Sequence, residues 1–146
     1  MPYKDKTSVA IKWYRVSRFF YLHKMRFFAT IIYHLMQILF SCSIPYSSEL
    51  GPGVNLAHFH GVVIHQNSRI GANTLIYQNV TLGGRNGKGG PNIGENCLVG
   101  AGACVLGEIE IGNNVNIGAN AVVLEDVPDN CTVVGIPARI VKRGNE

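Results

Sequence analysis

From Ile44 to about Pro128 an aliphatic residue recurs every six positions. Ile44, Leu50, Leu56 and Val62 set the series, which resets by two and continues as Ile64, Ile70, Ile76 and Leu82. After one interruption it resumes as Ile93, Val99, Val105, Ile111, Ile117 and Val123. Gly follows the aliphatic at Gly51, Gly71, Gly83, Gly94, Gly100, Gly112 and Gly118, and a small or apolar residue stands four places on, from Val54 to Val127. A period of six fits neither an α-helix nor a single long strand. It fits a short strand and a turn, repeated, with three hexads closing one coil of about 18 residues and coils stacking at the spacing of paired strands, about 4.8 Å. The periodic aliphatics then fill a triangular prism, and Gly suits its corners. An ordinary β-sandwich would instead show turn signals every 8–12 residues with no fixed phase. The expected fold is therefore all-β, a left-handed parallel β-helix of hexapeptide repeats.

The division expected along the chain is a basic, aromatic helical segment over residues 1–43 and a β-helix domain with a C-terminal tail over 44–146. Seven of the thirteen basic residues, Lys4, Lys6, Lys12, Arg15, Arg18, Lys24 and Arg26, fall in the first 26 positions against Asp5 alone. Residues 8–41 contain no Pro or Gly and read as helical with a break near Tyr21–Lys24. Phe27–Phe40 is too short, and too interrupted by Thr30, His34 and Gln37, to span a bilayer, and no cleavage site follows it as in a signal peptide. Two roles remain for residues 1–40. One is a cap on the end of the β-helix. The other is peripheral contact with the inner face of the cell membrane in an otherwise cytoplasmic protein, with Lys and Arg on anionic lipid and Trp13, Tyr14, Phe19, Phe20, Phe27 and Phe28 at the headgroups. The repeat domain carries no basic stripe, so nucleic acid is not an expected partner. Cys42, Cys97, Cys104 and Cys131 form no C-x-x-C pair and read as reduced core thiols. Gly83–Asn92 is a Gly-rich excursion from a corner, and it fails the phosphate-loop pattern because Lys88 is followed by Gly89.

One face of each coil starts at Leu56, Ile76, Val99 and Ile117. Two residues on, at one corner, stand His58, Gln78, Ala101 and Ala119. Three coil steps separate the first from the last, roughly 14 Å. That is a groove for a thin, extended ligand such as a pantetheine arm, with a reactive end at His58 and a smooth floor beyond. An imidazole titrates near neutrality and can take a proton from a hydroxyl and return it to a thiolate, so His58 is the candidate general base, the alternative being a surface histidine at a turn. His60 and Gln78 are candidates for holding the acceptor.

The segments LAHFHGVVI (Leu56–Ile64), NVTLGGRNGKGGPNIG (Asn79–Gly94), VGAGACVLGEIEIG (Val99–Gly112) and VVGIPARIV (Val133–Val141) resemble the catalytic domain of the serine acetyltransferases, trimer-forming hexapeptide-repeat acyltransferases, over about residues 44–143. The resemblance implies a homotrimer, acetyl-CoA as co-substrate and His58 as base. It places acetyl-CoA between two subunits, near Gly84, Ala101, Ala119, Pro137 and Arg139. Where that family has an Asp immediately before the base this chain has Ala57, and near the place of its second active-site His stands Gly90. Against that family the expectation is an N-terminal helical domain cut to one short segment and no C-terminal Ile, the sequence ending Gly144-Asn145-Glu146. The pattern is closer to the acetyltransferases of bacterial surface-polysaccharide synthesis, of the colanic acid type, and the acceptor expected first is a sugar hydroxyl, with serine as the alternative. His60 and His65, five apart, match a spacing found in zinc β-helix carbonic anhydrases, but three protein ligands are the usual catalytic set and no third His occupies a matching position, so no metal is expected. A β-helix scaffold without catalysis is the remaining alternative.

Overall fold

The computed structural model describes residues 7–144; Lys4, Lys6 and the last two residues of the tail lie outside them. Two helices come first, α1 (Val9–Leu22) and α2 (Arg26–Phe40). The break falls at the expected place, where Lys24 takes a left-handed φ of 61°. Four coils of short strands follow. They are β1 (Glu49–Leu50), β2 (Asn55–Leu56) and β3 (Val63–Ile64), then β4 (Arg69–Ile70), β5 (Leu75–Ile76) and β6 (Thr81–Gly83). The third coil holds β7 (Asn92–Ile93), β8 (Leu98–Val99) and β9 (Cys104–Leu106), and the fourth β10 (Glu110–Ile111), β11 (Asn116–Ile117) and β12 (Val122–Val123). β13 (Cys131–Val134) extends the stack and β14 (Arg139–Arg143) folds back on it antiparallel.

The strands form three parallel ladders, one per face of the prism: β1-β4-β7-β10, β2-β5-β8-β11-β13 and β3-β6-β9-β12. Their register stacks Leu50, Ile70, Ile93 and Ile111 on the first face, Leu56, Ile76, Val99, Ile117 and Val133 on the second, and Ile64, Leu82, Val105 and Val123 on the third. These residues are at most 5% exposed, so the six-residue period is the core itself. Eighteen residues separate Ile93 from its partner Ile111. The longer first and second coils hold the two-residue reset at His58–Gly61 and the Gly83–Asn92 excursion.

The corner glycines serve close approach. A Cβ on Gly71 would lie 2.6 Å from the Gly94 carbonyl oxygen, and Gly94 stands in the same relation to Gly112. The left-handed turn conformation falls mostly to Asn two positions later, at Asn73, Asn96, Asn114 and Asn120, with φ between 55° and 58°. The recurring I-G-x-N of residues 70–73, 93–96, 111–114 and 117–120 is that signal, since Asn tolerates αL better than other side-chain-bearing residues.

The top coil would leave strand carbonyls unpaired, and the helices cover them. Arg15 donates to the Leu50 and Gly51 carbonyls at 2.7 and 2.6 Å, Arg18 to the Ser48 carbonyl at 2.7 Å, and the buried Tyr14 hydroxyl to the same oxygen at 2.7 Å. Ser8 caps α1 and its N–H donates to Asn55 Oδ1 at 2.8 Å, while Ser43 bridges to Val63. The capping role of the helices is thus built from residues that the lipid reading had assigned to headgroups; Tyr14, Arg15 and Arg18 are turned inward. Ala10, Ile11, Tyr14 and Met36 join the solenoid aliphatics in one continuous core.

Candidate active site

The second-face ladder puts Leu56, Ile76, Val99 and Ile117 in register, so His58, Gln78, Ala101 and Ala119 do share one corner. Hydrogen bonds across that corner refine the column. Asn79 N–H donates to the His60 carbonyl, Gly102 N–H to that of Gln78, and Asn120 N–H to that of Ala101. Read from below, His60 heads the column above Gln78, Ala101 and Ala119, with Gly61, Asn79, Gly102 and Asn120 at positive φ beside it. His58 and Phe59 are therefore the two inserted residues, looped out of the corner at the top of the stack, with His58 exposed.

The loop is anchored by an aromatic chain. Phe59 lies edge-on to Phe40 at the end of α2, ring centroids 5.4 Å apart, and Phe40 lies edge-on to Trp13 of α1 at 5.7 Å. On its other side Phe59 stacks on His60 at 4.4 Å. Half-buried Phe59 thus pins the insertion between the helices and the solenoid. Sequence reading missed this contact, because a lone Phe between two histidines carries no period. Gln78 Oε1 is buried without a hydrogen-bond partner among the described residues, and a buried acceptor in that state calls for a donor.

The proposed cofactor residues frame the third face. Ala101 and Ala119 line one edge. Gly84, at the end of β6, opens the Gly-rich loop on the other. The segment before β14 closes the lower end, where Val122 N–H donates to the Gly135 carbonyl and Ala138 N–H to that of Val122. Outward on this face stand Val63, Thr81, Cys104 and Val122, none charged. Below Gly84 a cleft of about 390 Å³ is lined by Arg85, Leu124, Pro137, Ala138 and Arg139, together with the carboxylates Glu125 and Asp126. It brings two guanidinium groups from 54 residues apart to one cavity; Arg85 had not been singled out in the sequence, where it reads as one polar residue of a loop.

His65 belongs to the packing of that loop. Its Nδ1 accepts from Asn67 N–H at 3.2 Å, and its side chain lies against Gly84 and Gly90. Gly90 is buried, and a Cβ there would meet His65 Cβ at 2.6 Å. The loop has no room for a side chain at this position as it is built. Among the described residues no three His, Cys, Asp or Glu side chains converge on a common point.

The family described as bacterial transferase hexapeptide (six repeats) matches residues 90–125. The serine acetyltransferase of Synechococcus elongatus is 44% identical over 137 residues, 92% of this chain and 56% of that protein. Residues 90–125 thus carry that family's hexapeptide repeat, and the chain is similar to serine acetyltransferases along nine tenths of its own length. Among solved structures, the serine acetyltransferase of Neisseria gonorrhoeae is 38% identical with a TM-score of 0.88, over 94% of this chain and 55% of that one. A serine acetyltransferase in complex with CoA gives 36% and 0.85, over 90% and 55%. The chain thus spans a little over half the length of the relatives it matches. These relatives bear the name serine acetyltransferase, which supports the acceptor expected second, serine, better than the surface-polysaccharide sugar expected first.

Proposed function

We propose that the protein is an acetyl-CoA-dependent O-acetyltransferase whose general base is His58. The observation that carries this is the imidazole of His58, looped out beside the His60–Gln78–Ala101–Ala119 column and next to an uncharged strand face that ends in a cleft bearing Arg85 and Arg139 along with Glu125 and Asp126. In this reading the pantetheine arm runs down the third face, Arg85 and Arg139 meet its phosphates, and an amide N–H donates to Gln78 Oε1. His58 takes the acceptor's hydroxyl proton as its oxygen attacks the thioester carbon, the C–S bond breaks, and the proton passes to the departing thiolate. Two of the three faces carry uncharged outward residues, Asn55, Leu75, Leu98 and Asn116 on one and Val63, Thr81, Cys104 and Val122 on the other. The remaining face bears Glu49, Arg69, Asn92 and Glu110. Burying two faces against copies of the chain and leaving the charged one in water gives a closed ring, the expected trimer.

Serine is the acceptor that the relatives' names support. One observation favours an uncharged sugar hydroxyl as the second reading. Every carboxylate of the described residues lies on the first face or on the two corners that border it, and Ala57 stands before the base, so this chain places no acidic side chain of its own on the His58 corner to hold an ammonium. Release of free thiol from acetyl-CoA, followed with serine and with a panel of sugars, separates the two. Under either, His58→Ala lowers kcat by about 10²–10⁴-fold with unchanged circular dichroism. Full activity in that variant removes His58 as base, and no turnover with any hydroxyl acceptor leaves a scaffold.

A further inference from the structure

The helical hairpin keeps an apolar surface that the solenoid does not use. Phe27, Phe28, Ile31, Leu35, Ile38 and Leu39 follow one another at helical spacing along α2, all more than 40% exposed, with Phe27 at 72% and Ile38 at 76%. α1 adds Phe19 and Leu22 near the turn, and the rings of Phe19, Phe20, Phe28 and Phe27 are linked in sequence at 5.7, 5.6 and 5.6 Å. A soluble surface rarely leaves so long a contiguous apolar strip in water. Charge tells what covers it. Residues 7–48 contain no Asp or Glu. With Arg15 and Arg18 occupied by strand carbonyls, the exposed cations are Lys12, Lys24 and Arg26, the latter two beside the most exposed phenylalanines. A second copy of the chain has two uncharged solenoid faces to pack on, and packing there would leave the cationic rim without a counter-charge, because the described carboxylates lie on the first face and its bordering corners. An anionic bilayer answers both features. No helix among the described residues is long and apolar enough to cross a membrane, so the contact lies on the surface.

We propose that the α1–α2 hairpin is a peripheral docking surface for anionic membranes, with Phe27, Phe28, Ile31 and Ile38 entering the headgroup boundary and Lys24 and Arg26 on lipid phosphates. This contact is independent of the acceptor at His58. The full-length protein is sedimented with vesicles of phosphatidylglycerol mixed into phosphatidylcholine, and with pure phosphatidylcholine. The expected result is pelleting with the mixed vesicles alone, weakened about tenfold or more by the double substitution Lys24→Glu/Arg26→Glu and by raised salt. Phe27→Ser/Ile38→Ser reduces it further, while thermal unfolding of both variants stays at the wild-type temperature because these side chains are exposed. Equal pelleting with and without anionic lipid, or binding indifferent to both double substitutions, overturns the proposal. It is also overturned if sedimentation without lipid shows an assembly larger than a trimer that Phe27→Ser/Ile38→Ser breaks down, for then a second copy covers the strip.

Discussion

At the scale of single residues, the proposed site depends on how an exposed imidazole is held. His58 sits in a two-residue insertion, and its neighbour Phe59 is gripped by Phe40 and His60. An edge-on aromatic pair contributes about 0.5–1.5 kcal/mol beyond its buried area, enough to select one loop conformation. Phe59→Ala should therefore lower kcat about tenfold to a hundredfold, leave KM for acetyl-CoA near its wild-type value and barely move the melting temperature. Phe59→Leu should recover most of the rate. A parallel fall in stability and activity in both variants would mean that Phe59 is only a packing residue. Gly71 carries the opposite constraint. Its Cβ would strike the Gly94 backbone, which no rotamer change relieves, so Gly71→Ala should destabilise by about 1–3 kcal/mol, read as a lower denaturation midpoint at unchanged slope.

At the scale of elements, the helices and the solenoid complete each other. A stack of strands ends in open carbonyls, and α1 closes that end with Tyr14, Arg15 and Arg18. Hydrogen bonds from a charged donor contribute about 1.5–3 kcal/mol. Arg18 reaches the Tyr46 and Ser48 carbonyls at 3.0 and 2.7 Å, so Arg18→Ala should cost about 1–3 kcal/mol by chemical denaturation and speed amide hydrogen exchange in β1 first. Uniform exchange across all coils would show that the end is held by other means. The helix boundaries were readable from the missing Pro and Gly and from the polar break. Which of their basic residues turn inward was not, because Arg15 and Arg18 differ from Lys12 and Lys24 only in where the solenoid carbonyls come to lie.

At the scale of the whole molecule, one core runs from α1 to β13, and its ionisable members tie stability to alkaline pH. Burial pushes the Cys42 thiol up to about 11 from 9.0 and raises those of Cys97 and Tyr14 above their ordinary values. The folded state keeps these protons where the unfolded chain loses them. Their contribution is complete below pH 9 and falls as pH rises toward about 11, Cys42 alone accounting for about 2 kcal/mol. Urea midpoints should hold steady from pH 7 to about 8.5 and drop steeply above, and Cys42→Ala should flatten that drop. A profile unchanged by the substitution would place the titration elsewhere.

By itself the sequence determined the three-sided solenoid, its core residues, the two points where coils lengthen and the corner that bears His58, because a strict period leaves one way to bury every sixth side chain. The acceptor is what a period cannot carry, since a repeat says nothing about non-repeating positions such as Ala57 and Gly90. Tertiary structure alone decided that His60 rather than His58 continues the Gln78–Ala101–Ala119 column, that Phe40 holds the insertion, and that Arg85 and Arg139 line one cleft. Each joins residues with no common phase. Their meeting depends on how an inserted loop settles against a neighbouring element, and that is fixed by packing.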